Sequence, residues 1–147
     1  MSIISLNVIN AIPGKKNINY INISLTLKAM TELVVCLSTG KGTWQHVFRL
    51  IKEQDWEKVF VITSEFFKDK IENIDKIETI VVDPDRFLTE LTEEIRNKLN
   101  GKIKGTEVAI NFISGSGKEH MAILSAILKL GLGIRLVALT QDGVKEV

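Results

Sequence analysis

An α/β fold built on a mainly parallel five-stranded sheet is what this sequence predicts, and three observations carry it. From Glu32 onward, short unbroken apolar runs alternate with stretches of helical periodicity. Unbroken apolar runs suit strands covered on both faces, as parallel sheets require. Two glycine-lysine turns, Ser38-Thr39-Gly40-Lys41-Gly42-Thr43 and Ser114-Gly115-Ser116-Gly117-Lys118, each join an apolar run to a helical pattern. Alternation of this kind implies right-handed βαβ units, and five such strands favour the order 3-2-1-4-5. The expected architecture is a Rossmann-like three-layer domain with helices on both faces of the sheet.

The elements follow in order. Leu33-Val34-Val35-Cys36-Leu37 is the first strand, and Trp44, Val47, Phe48 and Ile51 then place one apolar stripe on a helix. Lys58 to Thr63 is the second strand, after which Ser64 is expected to cap a short helix burying Phe67, Ile71 and Ile74. Thr79 to Val82 is the third strand. Asp83 and Pro84 suit the cap and first position of a helix that buries Leu88, Leu91, Ile95 and Leu99 and stops at Asn100-Gly101. Glu107 to Ile113 is the fourth strand. The helix from about Lys118 to Leu130 is apolar around most of its circumference, so it is expected to be the most buried. Ile134 to Leu139 is the fifth strand, and Asp142-Gly143 signals a tight turn into a short returning strand at Val144 to Val147.

Composition bounds the function. A chain of 147 residues with 45% hydrophobic content fits one core. A net charge of +1 with 25% charged residues disfavours disorder and a surface built to coat duplex nucleic acid. The single cysteine, Cys36, lies inside an apolar run and reads as a small buried hydrophobe, which leaves no disulfide or zinc framework. No apolar run approaches the roughly 18 residues of a membrane span, so a membrane partner is not expected.

Residues 1–29 carry no acidic residue and lack the layout of a signal peptide, so a cytoplasmic location is expected. They read either as an appended β-hairpin around Pro13-Gly14-Lys15-Lys16 or as a weakly structured extension ahead of a domain at 30–147.

The candidate site is the pair of turns. Glycine lets backbone N–H groups approach a ligand closely, and a helix start concentrates roughly +0.5 of a charge. In open α/β sheets ligands bind beyond the carboxyl ends of the strands where the strand order reverses. In the order 3-2-1-4-5 that place lies between the first and fourth strands, which carry these turns. Lys41 and Lys118 are candidate phosphate contacts, and Ser38, Thr39, Thr43, Ser114 and Ser116 candidate hydroxyl donors whose competing role is helix capping.

Neither turn is a Walker A loop, because Phe112 stands where the first glycine belongs and Glu119 replaces the Mg²⁺-binding hydroxyl. Neither is a full dinucleotide fingerprint, because Gln45 and His120 stand at the third glycine. No cofactor and no metal are therefore expected, and helix capping accounts for Asp83 and Asp85. His46 and His120 lack a partner at dyad spacing and read as polar, partly exposed side chains. Trp44 fits the core stripe better than a base-stacking role.

The segment Ile110-Asn111-Phe112-Ile113-Ser114-Gly115-Ser116-Gly117-Lys118-Glu119-His120-Met121-Ala122 resembles the CRISPR-associated Rossmann-fold (CARF) domains. These carry an apolar strand, a turn like Thr-Gly-Gly-Thr-Lys and a Met-containing buried helix. Here Ser114 stands for the usual Thr, Ser116-Gly117 for Gly-Thr, and one extra residue precedes Met121.

The resemblance implies a two-fold homodimer with a cyclic oligoadenylate of antiviral signalling across its axis. It implies ligand contacts from Ser38, Thr39, Gly40, Lys41, Gly42 and Thr43, and from Ser114, Gly115, Ser116, Gly117 and Lys118. With no length left for an effector, the expected activity is that of a stand-alone sensor or a metal-independent ring nuclease. In the latter, Lys118 or Lys41 would stabilise developing charge, and Ser38, Thr39 or Ser114 would position the ribose. Two other readings stay open: a phosphosugar or mononucleotide enzyme at the same crevice, and a non-catalytic interaction module.

Overall fold

Apolar runs too short for helices become strands when neighbours on both sides complete their backbone hydrogen bonds. In the computed structural model, which describes residues 31–71 and 74–147, this produces β1 (Leu33–Leu37), β2 (Val59–Thr63), β3 (Ile77–Val81), β4 (Glu107–Asn111), β5 (Gly133–Thr140) and β6 (Gly143–Glu146). The helices are α1 (Lys41–Glu53), α2 (Leu88–Leu99) and α3 (Gly117–Lys129). Thr31–Val147 forms one compact unit. The hairpin expected before residue 30 lies outside the described residues.

The sheet order is β3-β2-β1-β4-β5-β6, parallel throughout except for the antiparallel β5–β6 pair. The first five strands stand in the expected order 3-2-1-4-5. Among the described residues the sheet has six strands rather than five because Asp142-Gly143 does turn the chain back, with Gly143 at φ 98°. Every residue of β1 and β2 is buried, as central strands covered on both faces demand.

Alternation along the strands divides the core. Val34, Cys36, Phe60, Ile62, Val108 and Ile110 face α2 and α3, meeting Leu91, Ile95 and Leu99 from one and Ala122, Ile123, Ala126 and Ile127 from the other. Leu33, Val35, Leu37, Val59, Val61 and Ala109 face α1 through Val47, Leu50 and Ile51. Helices thus cover both faces, two on one side and one on the other. Each fully buried Leu, Ile or Val contributes about 1.5–3 kcal/mol.

Two expectations are corrected. After β2 the chain forms only a 3₁₀ turn, Lys68–Lys70, where Ser64 was expected to start a longer helix. The Ser64 carbonyl accepts from the Phe67 and Lys68 N–H groups, closing a tight turn, and Phe67 packs edge-on against Trp44. After β3 the helix starts at Leu88, not Pro84, because the Asp83 carboxylate accepts from the Asp85 N–H and forms an Asx turn. As expected, α3 is the most buried of the described helices, yet Met121, Leu124 and Leu128 line an exposed apolar stripe along it. Its other face fills the core, and no described element covers this one.

Candidate functional site

Parallel pairing of β1 with β4, in the register Leu33↔Ala109, Val34↔Ile110 and Val35↔Asn111, sends both strands to the same edge of the sheet. Both glycine-lysine turns therefore leave that edge side by side, at the point where the strand order reverses.

The first turn is open. Gly40 is the N-cap of α1 with φ 90°, a left-handed conformation that glycine reaches without strain. Its carbonyl accepts from the Thr43 N–H at 2.9 Å and the Thr43 hydroxyl at 2.7 Å. No side chain caps α1, and no acidic residue lies in its first turn. The positive helix end and its first N–H groups thus face outward, with Thr39, Gly40 and Gly42 exposed around them. Ser38 is buried behind them, its carbonyl accepting from Trp44 Nε1 at 3.2 Å. Trp44 joins the core face as expected.

The second turn is closed on itself. Ser116 caps α3, its hydroxyl accepting from the Glu119 N–H at 3.2 Å, while Glu119 Oε2 accepts from the Ser116 N–H at 2.7 Å. This reciprocal capping box satisfies two donors, the Ser116 and Glu119 N–H groups, and sets a carboxylate at the start of the helix, where an anion would otherwise be attracted. Asn111 secures the turn from below, donating from Nδ2 to the Val137 carbonyl at 2.8 Å and accepting from the Ile113 N–H at 3.2 Å. His120 stacks on Phe112, and its Nε2 lies 2.7 Å from the Ser114 carbonyl, so its role is to hold the turn. Gly115, at φ 104°, lies so close to β1 that a Cβ there would come within 2.7 Å of Cys36 Sγ.

One hydrogen bond joins the turns. Ser38 Oγ donates to Glu119 Oε2 at 2.8 Å across 81 residues of sequence, and both side chains are buried. Beneath them, burial pushes the Cys36 thiol from an ordinary 9.0 up to about 12, with the Glu119 carboxylate adding to the effect. This thiol is a core group and not a nucleophile. Ser114 Oγ, also buried, is the one buried side-chain polar atom among the described residues with no hydrogen-bond partner.

The fold therefore brings Ser38, Ser114, Gly115 and Ser116 to one place, with Thr39, Gly40, Gly42 and Thr43 beside them and the Lys41 backbone opening α1. Lys118 turns elsewhere, its ammonium donating to the Arg86 carbonyl at 3.1 Å over the loop that precedes α2. His46 is exposed on α1. Among the described residues no group of three or more His, Cys, Asp or Glu side chains is arranged to hold a metal. No helix among them is long and apolar enough to cross a membrane.

Glu119 is the site residue that sequence reasoning passed over, although Ser116-x-x-Glu119 is a capping-box signature. The arrangement suits ligand binding: an open, acid-free helix end for an anion, set against a turn whose helix start already carries a carboxylate. No protein-family profile and no curated protein matches this chain.

Proposed function

We propose that this domain binds a phosphate-bearing nucleotide ligand in the crevice between the turns after β1 and β4. Under the CARF resemblance that ligand is a cyclic oligoadenylate, and the protein is a sensor of it. The observation that carries the reading is the uncapped, acid-free N-terminus of α1 opening at the strand-order reversal beside a second glycine turn. Thr39, Gly40, Lys41, Gly42 and Thr43 hold the phosphate through backbone and hydroxyl donors. Ser114 and Gly115 form the opposite wall.

A second copy of the chain completes the site in this reading. The exposed Ile113 and Met121 near the second turn, with Leu124 and Leu128 further along α3, support that expectation. Sensing is favoured over ring cleavage by two contacts: the Ser38 hydroxyl is engaged by Glu119, and Lys118 is drawn to Arg86.

Calorimetry with cyclic tetra- and hexa-adenylate tests the reading, and absence of heat and of thermal shift with both ends it. Gly42→Asp sharpens the test. A Cβ at Gly42 meets nothing within 4 Å, and an acid in the first turn stabilises a helix by about 0.3–1 kcal/mol. The variant should unfold no earlier than the wild type while binding at least about tenfold more weakly. Incubation in EDTA followed by chromatography separates sensing from cleavage, which would release linear adenylates ending in a 2′,3′-cyclic phosphate.

A further inference from the structure

The sheet edge that carries both turns also carries an aromatic path leading away from the first of them. Trp44, whose Nε1 holds the Ser38 carbonyl, meets Phe67 edge-on at 5.2 Å between centroids, and Phe67 meets Phe66 at 4.8 Å. Phe66 ends the path and is 72% exposed, an unusual state for a phenylalanine with core neighbours so near. It borders a cavity of about 510 Å³ beyond the carboxyl ends of β2 and β3, lined also by Ser64, Phe67, Val82, Pro84 and Asp85. That volume lies within the range of about 300–1,000 Å³ found for small-molecule sites.

The charges around the cavity are mostly engaged. Glu94 pairs with Lys98 at 2.9 Å and Arg86 at 3.4 Å, Glu65 pairs with Lys68, and Asp83 accepts from the Asp85 N–H. The Asp85 carboxylate alone has no hydrogen bond or ion pair among the described residues. A free hydrogen-bond acceptor therefore lines the same cavity as an exposed aromatic ring. Lys70 sits 4.5 Å from the Phe66 centroid, so one ring face already carries a cation. With that cation already on the ring, a second cationic guest is disfavoured and a neutral flat ring is the better partner. The Trp44–Phe67–Phe66 contacts link this cavity to the first turn.

We infer that this cavity is the base subsite of the nucleotide site, selecting an amino-bearing base by stacking on Phe66 and by donation of its exocyclic N–H to the Asp85 carboxylate. The inference rests on the proposed phosphate binding at the first turn and assigns specificity to residues outside both glycine turns. A keto group in place of the amine would face the carboxylate with no proton to share, so the subsite discriminates against it.

Calorimetry on the full chain, with cyclic tetra-adenylate and its inosine counterpart as probes, tests this on wild type, Phe66→Ala, Phe66→Tyr and Gly42→Asp. Phe66→Ala should weaken adenylate binding about 10- to 100-fold, Phe66→Tyr should retain it, and the inosine ring should bind at least about tenfold more weakly to the wild type. Because Phe66 is exposed, unchanged thermal unfolding of Phe66→Ala confirms that folding is intact. Unchanged affinity in Phe66→Ala alongside a loss in Gly42→Asp overturns the base subsite and leaves the phosphate site standing. Equal binding of the two rings overturns the role of Asp85. If the wild type binds neither probe, the nucleotide reading falls and the subsite with it.

Discussion

The turns after β1 and β4 share glycines, a lysine and a helix start, but they differ in how their backbone donors are used. The first leaves the N-terminus of α1 uncapped, with no acid in its first turn. In the second, Ser116 and Glu119 cap each other, and Glu119 brings a buried carboxylate to the place where an anion would sit. A helix start attracts phosphate only while its N–H groups are unclaimed, so equal motifs need not make equal sites. The first turn keeps the features a phosphate needs, while the second presses on β1 and holds the first through the Ser38–Glu119 bond.

The steric contrast between the turns offers the largest test. Gly115→Ala drives a methyl against Cys36 Sγ and places it 2.9 Å from His120 Nε2, at a positive φ. It should lose about 2–4 kcal/mol in urea unfolding. Gly40→Ala has the same backbone penalty, but its nearest neighbour lies 3.6 Å away, so it should lose only about 1–2 kcal/mol. Equal losses would mean that the second turn does not press on β1.

Glu119→Ala strips partners from the buried Ser38 hydroxyl and the Ser116 N–H and should cost about 2–3 kcal/mol, with Glu119→Gln milder because an acceptor remains. The buried thiol gives a pH signature. Because the folded state raises its ionisation from 9.0 to about 12, the stability it contributes is complete below pH 9. It declines as pH climbs toward about 12, since only the unfolded thiol ionises in that window. The loss attributable to Cys36 should reach about 2 kcal/mol by pH 10.5 and vanish in Cys36→Ala. At neutral pH the native thiol should resist alkylation until the protein is unfolded.

Lys118→Ala should be the mildest change. An exposed ammonium on a carbonyl contributes little, so stability should move by less than about 0.5 kcal/mol. A larger fall in melting temperature would make the lysine a strut between α3 and the loop before α2.

Local patterns carried most of the fold. Apolar runs the length of a strand, broken by glycine turns, specify the parallel core and its order, and Asp142-Gly143 specifies the hairpin. What stayed hidden depends on distant partners or on competing local bonds. Asp83-Pro84 has the residues of a helix start, but the Asx turn at Asp85 uses that carboxylate first. The segment after Ser64 has helical spacing, yet its turn closes early and sends Phe67 to Trp44. Apolar residues around α3 do not reveal how many neighbours will cover them. In the site, the converging turns were legible from strand order, while the Ser38–Glu119 bond spans 81 residues and leaves no periodic trace.

Both margins of the sheet, among the described residues, are short and charged. On the outer strand β3, Lys102 and then Lys58 hold the Glu78 carboxyl below its ordinary range, fastening charge along that rim. At the opposite rim β6 is only four residues long, carries Lys145 and Glu146, and is cross-braced from Arg135 to Glu146. Rims so short and so charged discourage strand-to-strand growth into fibres. What they leave uncovered is the oily flank of α3, the face on which a second copy would sit in the proposed reading.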